Sequence, residues 1–224
     1  EQLQKGLTQR AIGYDLVELG PKNRFNQILK TILNNCIEKG YKKIAIIYGN
    51  EVTVHSKFYD LLERHLSEIN PEFGLLFMCQ KLSIQQTKEW GKQDVDHKDY
   101  VFLYDDMKNK SEKDVTVHWK SYGPKEFRVP KIAVELAKNN IDNKWGVVIN
   151  HTSMRNILSM LDVMTPIHLQ GDSILIDYQK KYGPGFYCLP NILIPRQPNG
   201  PRLKKICQSN GWFHHFFEAS LKLG

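Results

Sequence analysis

Residues 24–69 read RFNQILKTILNNCIEKGYKKIAIIYGNEVTVHSKFYDLLERHLSEI, and this stretch decides the fold class. Its middle, residues 42–48, is a short apolar run, which is typical of a strand buried on both faces. On each side of it, apolar residues recur every three or four positions, which predicts amphipathic helices over 24–39 and 56–69. Helix, buried strand and helix in this order favour an α/β fold.

Apolar runs continue this pattern through the next hundred residues. Strands are predicted at 74–79, 100–104, 115–119, 145–149 and 174–176, and further helices at 131–138 and from residue 150. Runs that are apolar throughout are typical of parallel strands covered on both faces. We therefore predict a three-layer α/β fold with a mainly parallel sheet. Residues 1–177 would form this core domain, and residues 178–224 a basic, aromatic C-terminal extension packed on it.

The composition predicts a soluble globular protein. The chain has 224 residues, of which 41% are hydrophobic, and no apolar run approaches the roughly 20 residues that span a bilayer. Its four cysteines are far apart and form no C-x-x-C pair, which favours a reducing, intracellular compartment. Secretion stays open, because four cysteines could form two disulfides and because Asn109 and Asn150 begin glycosylation-acceptor tripeptides.

Several common catalytic signatures are absent from the sequence. It contains no phosphate-binding G-x-x-x-x-G-K-[ST] loop, no G-x-G-x-x-G, no H-E-x-x-H, no G-x-S-x-G and no calcium-loop pattern. These absences argue against the common NTPases, dinucleotide oxidoreductases, zincin proteases and α/β-hydrolases.

The charge is distributed unevenly along the chain. Of the 31 basic residues, six lie between Asp177 and Glu218, where no acidic residue occurs, and nearly all of the net charge of +7 belongs to this segment. The same segment carries aromatic residues between its bases, as single-stranded nucleic acid requires for stacking beside phosphate contacts. We therefore predict binding of RNA or DNA. The predicted phosphate contacts are Lys180, Lys181, Arg196, Arg202, Lys204 and Lys205, and the predicted stacking residues are Tyr182, Tyr187 and Trp212.

Polar residues that follow the predicted strands suggest a different function, that of an enzyme. In open α/β sheets, ligands bind outside the carboxyl ends of the strands. If the strands are parallel neighbours, the side chains of Glu51, Asp105 and Asp106 would converge there, with His151 as acid or base. Asp105 and Asp106 would hold Mg²⁺ or Mn²⁺, which prefer carboxylate oxygens, in a metal-dependent phosphodiesterase or nuclease.

Two simpler interpretations remain for the same residues. The polar residues at the strand ends could be ordinary loop residues, with Asn150 to Ser153 capping the next helix. The basic segment could serve a structural or sensory module that contacts an acidic protein surface, or could only keep the chain in solution. Affinity for nucleic acid, or for a protein partner instead, would distinguish these interpretations.

Overall fold

The computed structural model describes residues 25–47, 53–79, 89–126, 128–141, 146–165 and 173–194. In these ranges the chain forms helices α1 (Phe25–Glu38), α2 (Phe58–Glu68), α3 (His97–Leu103), α4 (Glu112–Ser121), α5 (His151–Asp162) and α6 (Ile174–Tyr182). Its strands are β1 (Lys43–Ile47), β2 (Thr53–Val54), β3 (Leu75–Phe77), β4 (Ala133–Leu136), β5 (Gly146–Asn150), β6 (Phe186–Leu189) and β7 (Leu193–Ile194). Short 3-10 turns occur at Asp105–Met107 and Gly123–Glu126.

Five of the strands form one mixed sheet in the order β1-β5-β3-β6-β4, and β2 pairs with β7. Within the five-stranded sheet, β3 and β6 are parallel, whereas the other three neighbouring pairs are antiparallel. The α/β class is therefore confirmed, but the prediction of a mainly parallel sheet is wrong. A strand covered by helices on both faces is apolar throughout whichever way it runs, so its composition does not reveal its direction.

Helices pack on both faces of the sheet. Successive residues of a strand point to opposite faces, and the buried residues accordingly form two core clusters. One cluster joins Leu76 to Leu61, Leu103 and Trp119; the other joins Leu75 and Phe77 to Leu29, Ile157 and Leu175. Burial of each such leucine contributes about 1.5–3 kcal/mol to the free energy of folding. In the described ranges, no helix has both the length and the apolar character needed to cross a membrane.

The elements predicted around the opening stretch are confirmed. Helices α1 and α2 match the predictions at 24–39 and 56–69, and strands β1, β3 and β5 match those at 42–48, 74–79 and 145–149. Elsewhere the type of element is wrong at four places. The strands predicted at 100–104, 115–119 and 174–176 are parts of helices α3, α4 and α6, and the predicted helix at 131–138 contains strand β4.

Capping residues explain why three short apolar runs are helical. The side chain of Asp96 accepts a hydrogen bond from the backbone N–H of Asp99 at the start of α3. Ser173 caps α6 in the same way. At α4, Ser111 and Asp114 form a reciprocal capping box. A short apolar run alone fits either a strand or a helix, and these caps select the helix.

The part of the predicted C-terminal extension that the structure describes belongs to the sheet. Strand β6 lies between β3 and β4, and a boundary between residues 177 and 178 falls inside α6. Residues 195–224, the remainder of that extension, lie outside the described residues.

Candidate ligand pocket at one end of the sheet

The carboxylates predicted as metal ligands lie in the helical layer formed by α2, α3 and α4. Asp105 and Asp106 follow α3 in a 3-10 turn, so neither follows a strand as predicted. The Asp105 carboxylate lies 2.9 Å from Lys57 Nζ. Both oxygens of Asp106 accept hydrogen bonds from Arg128, at 3.0 Å from Nη1 and 2.8 Å from Nη2. Each carboxylate is thus already engaged by a cation of the chain.

Arg128 is a buried cation that pairs with two partly exposed carboxylates. Its side chain is 2% exposed, its Nε lies 2.7 Å from Glu126 Oε2, and its guanidinium carbon lies 4.5 Å from the centre of the Tyr104 ring. Burial acts to lower the pKa of Arg128, but the hydrogen bonds and charge of Asp106 outweigh it, and the pKa is raised. The arginine therefore stays charged and ties the 3-10 turn after α3 to the segment before β4.

His151 lies in the other helical layer, at the start of α5. Its Nε2 accepts a hydrogen bond of 3.0 Å from Arg155 Nε. The ring proton is therefore on Nδ1, which lies 3.2 Å from the carbonyl oxygen of Tyr41 and donates to it. Both ring nitrogens are occupied, and the ring is separated by the sheet from Asp105 and Asp106.

The predicted convergence of strand ends does not occur, because β1 and β5 are antiparallel. Ile47 at the end of β1 pairs with Gly146 at the start of β5, so the two carboxyl ends lie at opposite ends of the sheet. Glu51 itself lies outside the described residues. In the described ranges, no three His, Cys, Asp or Glu side chains lie close enough together to hold a metal ion. The catalytic and metal-binding roles of these residues stay predictions.

A pocket of about 200 Å³ opens at the end of the sheet where β5 ends and β3 and β6 begin. Its walls come from three places: the segment before β3, the last turn of α6, and the turn between α6 and β6. The residues that line it are Asn70, Glu72, Phe73, Gly74, Leu75, Tyr178, Tyr182, Gly183, Pro184, Gly185 and Phe186. Four of these are aromatic and four are glycine or proline; of the aromatic residues, Tyr182 is exposed, whereas Phe73 and Tyr178 are buried.

A chain of hydrogen bonds fixes the floor of this pocket. The side-chain amide of Asn150 donates to the carbonyl oxygen of Phe73, and its Oδ1 accepts from the Ser153 backbone N–H at 2.8 Å. Ser153 Oγ and the Tyr178 hydroxyl share a hydrogen bond of 2.7 Å. Asn150 therefore caps α5, as one interpretation predicted, and also holds the segment before β3. A Cβ on Gly74 would lie 3.1 Å from the Tyr178 hydroxyl, so a glycine fits this close approach.

Two lysine ammonium groups lie beside aromatic rings of the pocket. Lys181 Nζ lies 5.2 Å from the centre of the Tyr182 ring, and Lys43 Nζ lies 5.7 Å from the centre of the Phe73 ring. Tyr182 is 47% exposed and packs against Tyr178, with the ring centres 4.8 Å apart. Both distances from ammonium to ring are within the range of cation–π attraction. The pocket thus combines an accessible ring with unburied positive charge.

The other residues predicted to contact nucleic acid divide into two groups. The first group lies in the described ranges and comprises Lys180 and Tyr187. Lys180 is exposed and pairs with Asp177 at 3.0 Å. Tyr187 is 5% exposed, packs in the core and donates its hydroxyl proton to Glu135. Tyr187 therefore presents no ring face to a base. Arg196, Arg202, Lys204, Lys205 and Trp212 lie outside the described residues.

Sequence reasoning found one wall of the pocket and missed the other. Lys181 and Tyr182 belong to the segment that was singled out for its charge. No periodic or charge pattern in the sequence predicts Glu72 and Phe73 as pocket residues, or Lys43 as a neighbour of Phe73, because these positions depend on the order of strands in the sheet. The turn chemistry of residues 70–74, Asn-Pro-Glu-Phe-Gly, directly before a buried strand is the signal that could have indicated them.

Comparison of the chain with protein-family models, with curated protein sequences and with solved structures finds no match.

Proposed function

We propose that this protein binds single-stranded RNA or DNA, with one base in the pocket between residues 70–75 and 178–186 and the neighbouring phosphates on lysines. The observation that carries this proposal is the half-exposed Tyr182 ring of the pocket, with the Lys181 ammonium group 5.2 Å from its centre. Lys43, whose ammonium group lies 5.7 Å from the centre of the buried Phe73 ring, adds a second positive charge. Aromatic rings stack on bases and ammonium groups bind phosphates, so the two kinds of group side by side match a nucleotide.

The size and exposure of the pocket favour a single base over a larger ligand. Its volume of about 200 Å³ is below the roughly 300–1,000 Å³ that is typical of sites for drug-sized ligands. A base inside a duplex is covered by its stacked neighbours and its pairing partner, so only an unpaired base can enter. Lys181 is exposed, and its ammonium group can move from the Tyr182 ring to a phosphate when a base stacks there.

Residues 178–217, which contain no acidic residue, supply further positive charge for binding the phosphates. Lys180 and Lys181 lie in the last turn of α6, and Lys181 contacts the pocket ring of Tyr182. Arg196, Arg202, Lys204 and Lys205 would extend the phosphate contacts along the strand, with Trp212 as a further stacking residue. Contacts of this kind release counterions, so the affinity should fall steeply as salt is added.

The experiment is a fluorescence anisotropy titration with labelled single-stranded and double-stranded oligonucleotides at low and near-physiological salt. The wild-type protein should bind the single strand in a salt-sensitive way. Tyr182→Ala should weaken binding about tenfold, within the range measured for loss of one stacking ring. Tyr122→Ala is the matched control, because Tyr122 is also an exposed tyrosine, at 56%, and lies at the end of α4, away from the pocket.

Two outcomes would contradict the proposal: no binding of any oligonucleotide at low salt, or equal effects of Tyr182→Ala and Tyr122→Ala. The same samples, incubated with and without Mn²⁺ and run on a denaturing gel, test the nuclease prediction separately. Cleavage that needs Mn²⁺ and is lost in Asp105→Asn with Asp106→Asn would favour that alternative. Tight binding of an acidic protein without affinity for nucleic acid would favour the interaction module.

A further inference from the structure

Besides the tyrosine hydroxyls, the residues that line the pocket include an amide, Asn70, and a carboxylate, Glu72. The Glu72 side chain is exposed, and among the described residues no group donates a hydrogen bond to its carboxylate or pairs with it. Asn70 Oδ1 accepts a hydrogen bond of 2.9 Å from the Glu72 backbone N–H. This bond fixes the orientation of the Asn70 amide and leaves its NH₂ group to donate elsewhere. Two of the side chains that line the pocket thus offer a carboxylate acceptor and an amide donor.

A carboxylate acceptor and an amide donor complement the hydrogen-bonding edge of guanine but not those of adenine, cytosine and uracil. Guanine carries two adjacent donors, N1–H and N2–H₂, next to the acceptor O6, so a carboxylate can accept both donors while an amide donates to O6. Adenine, cytosine and uracil each place a ring or carbonyl acceptor next to a single donor. That acceptor would face the negative Glu72 carboxylate, which is unfavourable.

We propose that the pocket is selective for guanine, with the Glu72 carboxylate accepting from N1–H and N2–H₂ and the Asn70 amide donating to O6. This inference rests on the proposed function and specifies the base that the pocket takes. Tyr182 supplies the stacking surface, which all bases share, and Glu72 supplies the discrimination. The negative charge of Glu72 fits this assignment. A carboxylate repels phosphate, so a pocket that bound only phosphate would be weakened by it.

The test compares labelled oligouridylates that differ at one central position, which is G, A, C or U. The wild-type protein should bind the G-containing strand about tenfold more tightly than the others, the discrimination expected of one bidentate pair. Glu72→Gln should abolish this preference while leaving the affinity for the all-U strand unchanged or higher. Glu112→Gln, an exposed glutamate in the first turn of α4, is the matched control and should keep the preference.

The outcomes separate this inference from the proposed function. Equal, salt-sensitive binding of all four strands, or a guanine preference that survives Glu72→Gln, would overturn guanine selection and leave nucleic-acid binding intact. No binding of any strand would overturn both. Because Glu72 is exposed, the variant should fold normally, and an unchanged thermal unfolding midpoint would verify this.

Guanine could reach the pocket in a strand or as a free mononucleotide, and a competition arm distinguishes the two sources. Unlabelled GMP and AMP are added to the complex with the G-containing strand. Displacement by GMP at concentrations where AMP has no effect supports guanine recognition by the pocket itself. It would also show that the pocket can bind a free nucleotide. Displacement only by a G-containing oligonucleotide supports selection within a strand. Equal displacement by GMP and AMP contradicts the inference.

Discussion

Two regions of this molecule combine aromatic rings with arginine or lysine, and they differ in whether the charges have partners. Around Arg128, the guanidinium is bound by Asp106 and Glu126, and the Tyr104 ring beneath it is fully buried. At the pocket, Tyr182 is half exposed, and within the described part of the chain the Lys181 ammonium contacts the ring and no carboxylate. The first arrangement is complete without a ligand and stabilises the fold. In the second, the exposed ring of Tyr182 and the ammonium group of Lys181 are available to a ligand, which makes this region the candidate site.

The largest expected effect comes from removing the buried Arg128 side chain. Arg128→Ala deletes a side chain that is 2% exposed, its pairs with the partly exposed carboxylates of Asp106 and Glu126, and its packing on the Tyr104 ring. We expect it to lower the free energy of unfolding by about 2–3 kcal/mol, because truncation of this buried side chain leaves a cavity against the Tyr104 ring. Urea unfolding followed by circular dichroism measures this change.

The matched control for that variant is Arg155→Ala, which removes an exposed arginine that contacts His151. It should change the free energy of unfolding by less than about 1 kcal/mol. If Arg128→Ala left stability unchanged but weakened oligonucleotide binding, the assignment of this region to the fold would be wrong.

A pH effect of similar size is expected from His65, a second buried polar group in the same helical layer. His65 is fully buried, and in the described part of the chain neither ring nitrogen has a hydrogen-bond partner. Burial, with a smaller contribution from the charge of Arg64, lowers the pKa of His65 to about 4. The unfolded chain, with a pKa near 6.5, therefore binds the proton first as the pH falls.

The stability contributed by neutral His65 is thus fully present above about pH 6.5 and is lost as the pH falls toward 4. From pH 7 to pH 5 this one group should lower the free energy of unfolding by about 2 kcal/mol. His65→Met fills the space with an apolar side chain that does not titrate. The free energy of unfolding of this variant should therefore fall by about 2 kcal/mol less than that of the wild type between pH 7 and pH 5. Urea unfolding of both proteins at the two pH values measures the difference; parallel decreases would show that His65 does not cause it.

A smaller effect is expected from the lysines at the pocket. Lys43→Gln and Lys181→Gln should each weaken single-strand binding several-fold and reduce the slope of log affinity against log salt by about 0.7, the value for one phosphate contact with a single strand. Lys113→Gln, on the first turn of α4, should leave the slope unchanged. Anisotropy titrations over a series of salt concentrations provide these slopes. Identical slopes for the three variants would place the phosphate contacts elsewhere on the chain.

The sequence alone predicted the elements that carry a strong periodic signal. Helix α1 is confirmed because apolar residues recur over four turns, and β1 because its apolar run is bounded by lysines and a glycine. The runs at 100–104 and 174–176 were misassigned because three to five apolar residues fit a helix as well as a strand. Their caps, Asp96 and Ser173, carried the missing information.

Strand direction and the full pocket could not be predicted from the sequence. Lys43 and Asn150 become neighbours only because β1 and β5 run antiparallel, and Phe73 reaches Tyr182 only because β3 and β6 are adjacent. Both facts depend on the packing of distant segments. Local patterns could therefore indicate Lys181 and Tyr182 but not the residues that face them.

The most direct test of the central claim is photocrosslinking of a single-stranded oligonucleotide that carries a photoreactive base, followed by mass spectrometry of the crosslinked peptides. We predict crosslinks in residues 70–75 and 178–186, and their loss when unlabelled strand is added in excess. Crosslinks that spare both segments and fall on α4 or around Arg128 would contradict the assignment of the pocket as the nucleic-acid site.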